Sequence, residues 1–276
     1  MFFVTDFEER PKCVFSKIKL RVRGENPTIE YHSIEGIIFG VIKGIPKGNR
    51  HFFRKVKSIV GNDILIFQNG FDIFEKNKRN ISIYHSPTFK LPSTTEYYQR
   101  LLVNFAIEVS QIASKNSRVK VLLIDIGGNC SGVCIEFMKV AQEVVVLTNK
   151  FNRYDACIRY SNQSFGATPK IVGMNDKIND ISFIIAPYGL CGYIPQNTKT
   201  PIFSLKNPDN GYGIFEDGIV VDKEVKNVCP RGISPTVFSS QFFLEKGHIT
   251  DDKAVFLRSG NKCFTVEEMI KIIQKD

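Results

Sequence analysis

The sequence predicts an α/β protein in two parts, a mostly parallel sheet domain preceded by a smaller β-rich (α+β) domain. Three observations predict it. From residue 119 onward, short continuous apolar runs alternate with helical segments, as expected of parallel strands buried on both faces. Before about residue 90 the signals are those of strands and turns, apolar runs broken by Gly, Pro and Asn. Between the two lies one long amphipathic stretch that opens on a capping box. With 276 residues, 43% hydrophobic and 24% charged, the chain is long enough to bury a sizeable core, and neither disorder nor a fibrous class fits. The expected boundaries are 1–92 for the first domain, 93–117 for a connecting helix and 118–276 for the sheet domain.

In the first part, residues 17–23 alternate perfectly. A strand there sends Ile18, Leu20 and Val22 to a core and Lys17, Lys19, Arg21 and Arg23 to the other face. The apolar runs 37–42, 64–67 and 81–84 read as further strands. Residues 50–57 read as a short basic helix with Phe52, Phe53, Val56 and Val60 inward. Ser93 and Glu96 have capping-box spacing, the hydroxyl placed to accept from the amide three residues on and the carboxylate placed to reach back. Tyr98, Leu101, Leu102, Phe105, Val109 and Ile112 follow at helical spacing, and Lys115, Asn116 and Ser117 end the run.

In the second part, residues 119–124, 143–148, 170–173, 180–185 and 201–204 are the expected parallel strands, with a helix at 133–141 between the first two. A helix at 236–245, a strand at 254–257 and a last helix opened by Thr265 and Glu268 complete the chain.

Charge separates the two parts. The formal net charge is +9, and residues 1–118 hold 19 Lys+Arg against 11 Asp+Glu, whereas the remainder holds 18 against 17. The basic excess belongs to the first part, where 17–23, 50–57, Lys76, Lys78 and Arg79 form either a solvated face or a surface for an anionic partner. Seven scattered cysteines, with no second pair or nearby His beside Cys130 and Cys134, read as reduced thiols and not as a metal site. His32, His51, His85 and His248 have no ligand spacing. The opening residues lack a basic segment followed by a long apolar run, and no stretch reaches about 18 apolar residues, so a cytoplasmic protein without a membrane span is expected.

The chemistry concentrates at one turn. A buried strand ends at Asp125, a glycine turn follows through Gly127, Gly128, Asn129, Cys130 and Gly132, and a helix begins there. Such a turn gathers free backbone amides and the positive end of a helix dipole at one point, where a phosphate binds, and glycine permits close approach. The next strand ends about 20 residues later, just before Asn149 and Lys150.

These residues resemble the cofactor domain of the shikimate dehydrogenase family, in which a Gly-x-Gly-Gly-x-x-x-Gly turn follows the first strand and an Asn-Arg-Thr-like segment follows the second. Gly127, Gly128 and Gly132 match the last three glycines, and Asn149 and Lys150 match the Asn-Arg pair. The resemblance covers roughly 119–205. It implies a Rossmann-like domain, a bound NADP in preference to NAD with the ribose 2′-phosphate on Asn149, Lys150 and Arg153, and an oxidoreductase activity. Residues 180–192 resemble the family's nicotinamide end, with Ala186, Tyr188 and Gly189 lining it, and Cys191 and Tyr193 are further pocket-lining candidates at the same strand end. The first motif glycine is replaced by Asp125, and the N-terminal half lacks the family's paired serines and Lys/Asp signature, so no catalytic residue carries over.

Asp125 with Gly127 also resembles the first motif of S-adenosylmethionine-dependent methyltransferases, in which an acid at the end of the first strand holds the methionine part. Against that alternative stand Asn149, where that class has an acid, and an end of the chain that reads as a helix, where that class has an antiparallel strand pair. A third reading is a non-catalytic binding or regulatory protein that uses its basic N-terminal face, with the second part as scaffold or ligand sensor. Cys130 opens a helix, where a thiolate is stabilised, and is otherwise a small packing residue. Residues 207–213 form a turn-rich loop after the fifth strand.

Overall fold

A computed structural model of the protein describes residues 1–7, 26–44, 50–67, 92–195, 199–205, 211–246 and 251–274. The expected strands 17–23 and 81–84, the cations Lys76, Lys78 and Arg79, Cys13, His85, His248 and positions 207–210 lie outside these residues. The contacts divide the chain into two compact units, Met1–Thr94 with Val221–Asp251, and Thr95–Val220 with Asp252–Asp276.

The first unit begins with β1 (Phe2–Phe7), β2 (Thr28–Ile34), β3 (Ile37–Gly44), α1 (Arg50–Val60) and β4 (Ile64–Ile66). The chain then builds the second unit through α2 (Thr95–Ala113), β5 (Lys120–Ile124), α3 (Ser131–Met138), β6 (Glu143–Leu147), a 3-10 turn (Phe151–Tyr154), α4 (Asp155–Phe165), β7 (Lys170–Val172), β8 (Phe183–Ala186), β9 (Ile202–Ser204) and β10 (Ile219–Val220). It returns to the first unit for α5 (Lys223–Val228) and α6 (Pro235–Lys246). It ends in the second with β11 (Lys253–Ala254), β12 (Phe256–Ser259), β13 (Lys262–Thr265) and α7 (Val266–Ile273).

In the first unit the sheet order among the described residues is β2-β3-β1-β4, with β1 parallel to both neighbours and β2 antiparallel to β3. The parallel pairs require a crossover, and α1 supplies it between β3 and β4. Its inward residues Phe52, Val56 and Val60 pack with Phe3, Ile42 and Leu65, as its spacing predicts, while Phe53 is half-buried. Phe2 points the other way, because successive strand residues alternate. There it stacks on Phe39 with centroids 5.5 Å apart, and Phe238 and Phe242 of α6 meet both rings edge-on. That aromatic contact explains why Val221–Asp251 belongs with the N-terminal residues, where the sequence boundary 118–276 places it with the sheet domain.

The second unit is a Rossmann-like α/β fold. Its five-stranded sheet runs β7-β6-β5-β8-β9 and is parallel throughout. One face buries Leu122, Ile124, Val145, Leu147, Val172 and Ile184. On the other, Phe183 stacks on Phe203 at 4.9 Å, with Phe105 of α2 and Phe137 of α3 against them. The apolar residues of α2 thus pack on this sheet, and the helix joins the second unit instead of standing as a separate connector.

Several local expectations are corrected. Ile112 is exposed, and Tyr97 takes the interior place in α2 with its hydroxyl donating to Asp252 Oδ2 at 2.7 Å, while Tyr98 is half-buried. The run 180–185 does not start as a strand, because Asp180 adopts a left-handed φ of 58° and β8 begins at Phe183. Residues 254–257 divide between two pairings, Ala254 with Ile219 and Leu257 with Phe264. The resulting antiparallel hairpin β12–β13 immediately precedes α7, the helix on which the chain was expected to end. Isolated bridges from Phe203 to Tyr212 and from Gly213 to Arg258 connect the hairpin to the edge of the parallel sheet. The capping box at Thr265 and Glu268 is present. No helix among the described residues is long and apolar enough to cross a membrane.

Candidate functional site

The strand order reverses between β5 and β8, and in open α/β sheets ligands bind outside the carboxyl ends of the strands at that point. Asp125, the residue following β5, stands there beside the end of β6, with its N–H donating to Leu147 O at 2.9 Å. The chain turns at once, as Gly128 N–H donates to Asp125 O at 3.2 Å with Gly128 at φ 72°. The intrahelical bonds of α3 begin with Cys134 N–H to Cys130 O, leaving the N–H groups of Ser131, Gly132 and Val133 without intrahelical acceptors.

Asp125 does not project into the space above the turn. Its carboxylate is 1% exposed, and Oδ2 accepts from Cys130 N–H at 2.7 Å and from the Tyr154 hydroxyl at 2.6 Å. Oδ1 is buried with no partner. Tyr154 was not among the residues legible in sequence, because its role arises only where the 3-10 turn meets α4 beneath the glycine turn. Burial first, and the adjacent Asp125 charge second, push the Cys130 thiol far above its ordinary range. Cys130 is therefore a protonated packing residue and not an activated thiolate. The Tyr154 hydroxyl is raised by burial, then by its bond to Asp125.

These shifts set a pH dependence. Both groups are neutral when protonated and both are raised in the folded state, so their contribution to stability is complete below the ordinary values of 9.0 for Cys and 10.0 for Tyr, and is lost as pH rises above them. Their contribution to the melting temperature is expected to be level to about pH 8.5 and to fall progressively above about pH 9 to 10. The Tyr154→Phe variant should fall less steeply above pH 10 than wild type. Identical slopes would contradict this assignment.

Around the turn stand the exposed side chains. Asn129, Asn149, Lys150 and Arg153 all face solvent. The aliphatic parts of Lys150 and Arg153 cover Gly128 so closely that a Cβ there would lie 2.8 Å from Lys150 Cβ and from Arg153 Cδ. Arg153 Nη1 donates to Asn129 Oδ1 at 3.4 Å, and Lys150 N–H donates to the buried Thr148 hydroxyl at 3.0 Å. Above Gly132 the space is open, with no heavy atom within 4 Å of a built Cβ. The sequence-read residues Asp125, Gly127, Gly128, Asn129, Cys130, Gly132, Lys150 and Arg153 are thus gathered at one turn, with Asn149 adjoining Lys150.

Ala186, Tyr188 and Gly189 occupy the neighbouring strand end. Ala186 is the buried last residue of β8, and Gly189 closes a turn on it by donating to Ala186 O at 3.0 Å. Tyr188 is half exposed, and its hydroxyl is raised by burial first and then by Cys130, Asp125 and Glu96. Gln99 of α2 donates to Pro187 O at 3.2 Å and fixes this loop. A cavity of about 830 Å³ lies at the opposite, amino edge of the sheet, lined by Lys120, Glu143, Ser182 and Thr200 among others. Within it Glu143 pairs with both Lys120 and Arg118.

The turn can do two things chemically: its free amides and two cations can hold phosphate, and its neutral Asn side chains can bond a ribose. Among the described residues no group of three or more His, Cys, Asp or Glu stands together to bind a metal. No known protein-family model matches the chain, and no curated protein matches it. Among solved structures, the L-tryptophan dehydrogenase from Nostoc punctiforme is similar at 12% identity and a TM-score of 0.32, over 99% of this chain and 78% of that one. The quinate dehydrogenase from Corynebacterium glutamicum in complex with NAD is similar at 10% identity and a TM-score of 0.30, over 100% of this chain and 99% of that one. Both neighbours are dehydrogenases, and both similarities are weak.

Proposed function

We propose that the second unit binds a nicotinamide dinucleotide, NADP in preference to NAD, across the carboxyl ends of β5, β6 and β8, and that the protein is an oxidoreductase of the shikimate dehydrogenase-like type. The observation that carries the reading is the rim of the glycine turn, where Lys150 and Arg153 are exposed, held against Gly128 and next to free amides of α3. Asn129, Asn149, Lys150 and Arg153 are exposed at that rim and are neutral or cationic, while Asp125 is turned inward. Lys150 and Arg153 take the 2′-phosphate, Asn149 takes the ribose, and Ser131, Gly132 and Val133 face the pyrophosphate. Tyr188 and Gly189 line the nicotinamide end. The bound cofactor supplies hydride transfer.

The methyltransferase alternative needs Asp125 to face the ligand. Its Oδ2 is already engaged by two donors, and Asn149 stands where an acid would hold the ribose hydroxyls. The chain also closes on the helix α7, after the hairpin β12–β13, as expected of the first reading.

Thermal shift with NADP, NAD and S-adenosylmethionine separates the readings. A ligand at 100 times its dissociation constant stabilises by about 2.7 kcal/mol. NADP is expected to raise the melting temperature most, and Lys150→Ala and Arg153→Ala should each weaken NADP about tenfold while leaving NAD nearly unchanged. Equal losses for the two cofactors would remove the 2′-phosphate assignment. A shift with S-adenosylmethionine alone would replace the proposal by the methyltransferase reading.

A further inference from the structure

Resting on the nucleotide reading above, we infer that Asp125 is a specificity-determining residue: it makes the phosphate monoester at Lys150 and Arg153 the tighter anchor of the bound nucleotide, and the pyrophosphate that faces α3 the weaker one. The inference deepens that reading by naming which part of the ligand holds it in place.

In a turn of this type the helix N-terminus ordinarily offers its first amides and its partial positive charge to an anion. Here the protein supplies an anion of its own. Asp125 Oδ2 stands 2.7 Å from Cys130 N, the residue that caps α3, so the leading amide is occupied and the dipole end is already compensated. Both donors to the carboxylate, Cys130 N–H and Tyr154 O–H, are neutral, and among the described residues no cation pairs with it. Oδ1 is buried without a partner. The carboxylate group thus lies directly beneath the turn, bonded to Cys130 N–H and the Tyr154 hydroxyl through Oδ2 alone. A pyrophosphate over Ser131, Gly132 and Val133 would approach this charge through protein rather than water, where like charges a few ångströms apart repel strongly.

The two cations lie to the β6 side of the same turn. Their aliphatic parts pack on Gly128 and their charged heads are exposed, with Arg153 also oriented by Asn129. A single phosphate placed there gains two charge-assisted contacts without requiring the α3 amides. The ligand class that fits is a nucleoside carrying a phosphate monoester away from any pyrophosphate, of which adenosine 2′-phosphate is the smallest probe.

Calorimetric titration with adenosine 2′-monophosphate, ADP, NAD and NADP tests this on the full chain. Wild type is expected to bind adenosine 2′-monophosphate at least as tightly as ADP. Asp125→Asn keeps an oxygen to accept from Cys130 and Tyr154 but removes the charge, and should tighten ADP and NAD by about tenfold or more while changing adenosine 2′-monophosphate by less than about threefold. Tyr154→Phe disturbs the same contacts while keeping the charge, and should tighten neither. ADP binding wild type more tightly than adenosine 2′-monophosphate would overturn the inference, and so would an equal gain for all probes in Asp125→Asn or the same gain in Tyr154→Phe. If NADP binds wild type in any of those cases, the nucleotide reading survives. Failure of every probe with both wild type and Asp125→Asn overturns the reading and the inference together.

Discussion

Asp125→Ala is expected to destabilise the second unit by about 2–5 kcal/mol, the cost of leaving two buried donors without an acceptor. Cys130 N–H and the Tyr154 hydroxyl both end on Asp125 Oδ2, and both residues are buried. Neither finds water when the acceptor is deleted, so each carries its desolvation cost of about 1–3 kcal/mol uncompensated. The effect reaches beyond one pair, because Cys130 opens α3 and Tyr154 precedes α4. Asp125→Asn should retain most of the stability, since one carboxamide oxygen accepts from both donors. Tyr154→Phe should fall between the two, because it removes a donor and leaves the carboxylate with Cys130 alone. Urea unfolding of the three variants and wild type checks the order. An alanine variant within about 0.5 kcal/mol of wild type would mean that these contacts contribute no net stability.

The contrast between Asp125 in sequence and in structure shows what was legible. Continuous β-branched runs identify β5, β6, β7 and β9 to within a residue or so at each end, because a strand buried on both faces has no polar position to blur the pattern. The turn was legible for a similar reason, since few arrangements place glycines between a buried strand and a helix. Lys150 and Arg153 were found through the resemblance of their segment to an Asn-Arg-Thr-like one. What the sequence hid depends on contacts distant along the chain. Tyr154 lies 29 residues from the carboxylate it holds, and nothing local distinguishes it from Tyr160, which is exposed. The first-unit place of α6 is fixed by Phe238 and Phe242 meeting Phe2 and Phe39, a pairing of opposite ends of the chain that no periodicity announces. Tyr97 rather than Tyr98 enters the interior because Asp252 accepts its hydroxyl, another contact across most of the chain. Local pattern therefore locates elements, and distant polar or aromatic pairs decide which of two adjacent residues, or which of two units, receives them.

Gly128→Ala is expected to cost about 2–4 kcal/mol and to weaken NADP binding about tenfold or more, two effects with one geometric cause. The backbone at φ 72° lies in the left-handed region, where a Cβ alone costs about 1–2 kcal/mol. That Cβ would also sit 2.8 Å from Lys150 Cβ and Arg153 Cδ. The arginine end can swing aside, but a Cβ is tied to its backbone, so Lys150 moves only if the segment after β6 moves with it. Displacing that segment separates the cations from the turn and breaks the Arg153 to Asn129 bond. Gly132→Ala is the informative companion, because nothing lies within 4 Å of its Cβ and alanine is the better helix former by about 1 kcal/mol. It should leave stability unchanged or slightly raised. Equal destabilisation by the two substitutions would place the constraint in the glycine run as a whole. The expected difference between them places it at the one glycine over which Lys150 and Arg153 close, and ties the stability of the turn to the residues that hold the phosphate.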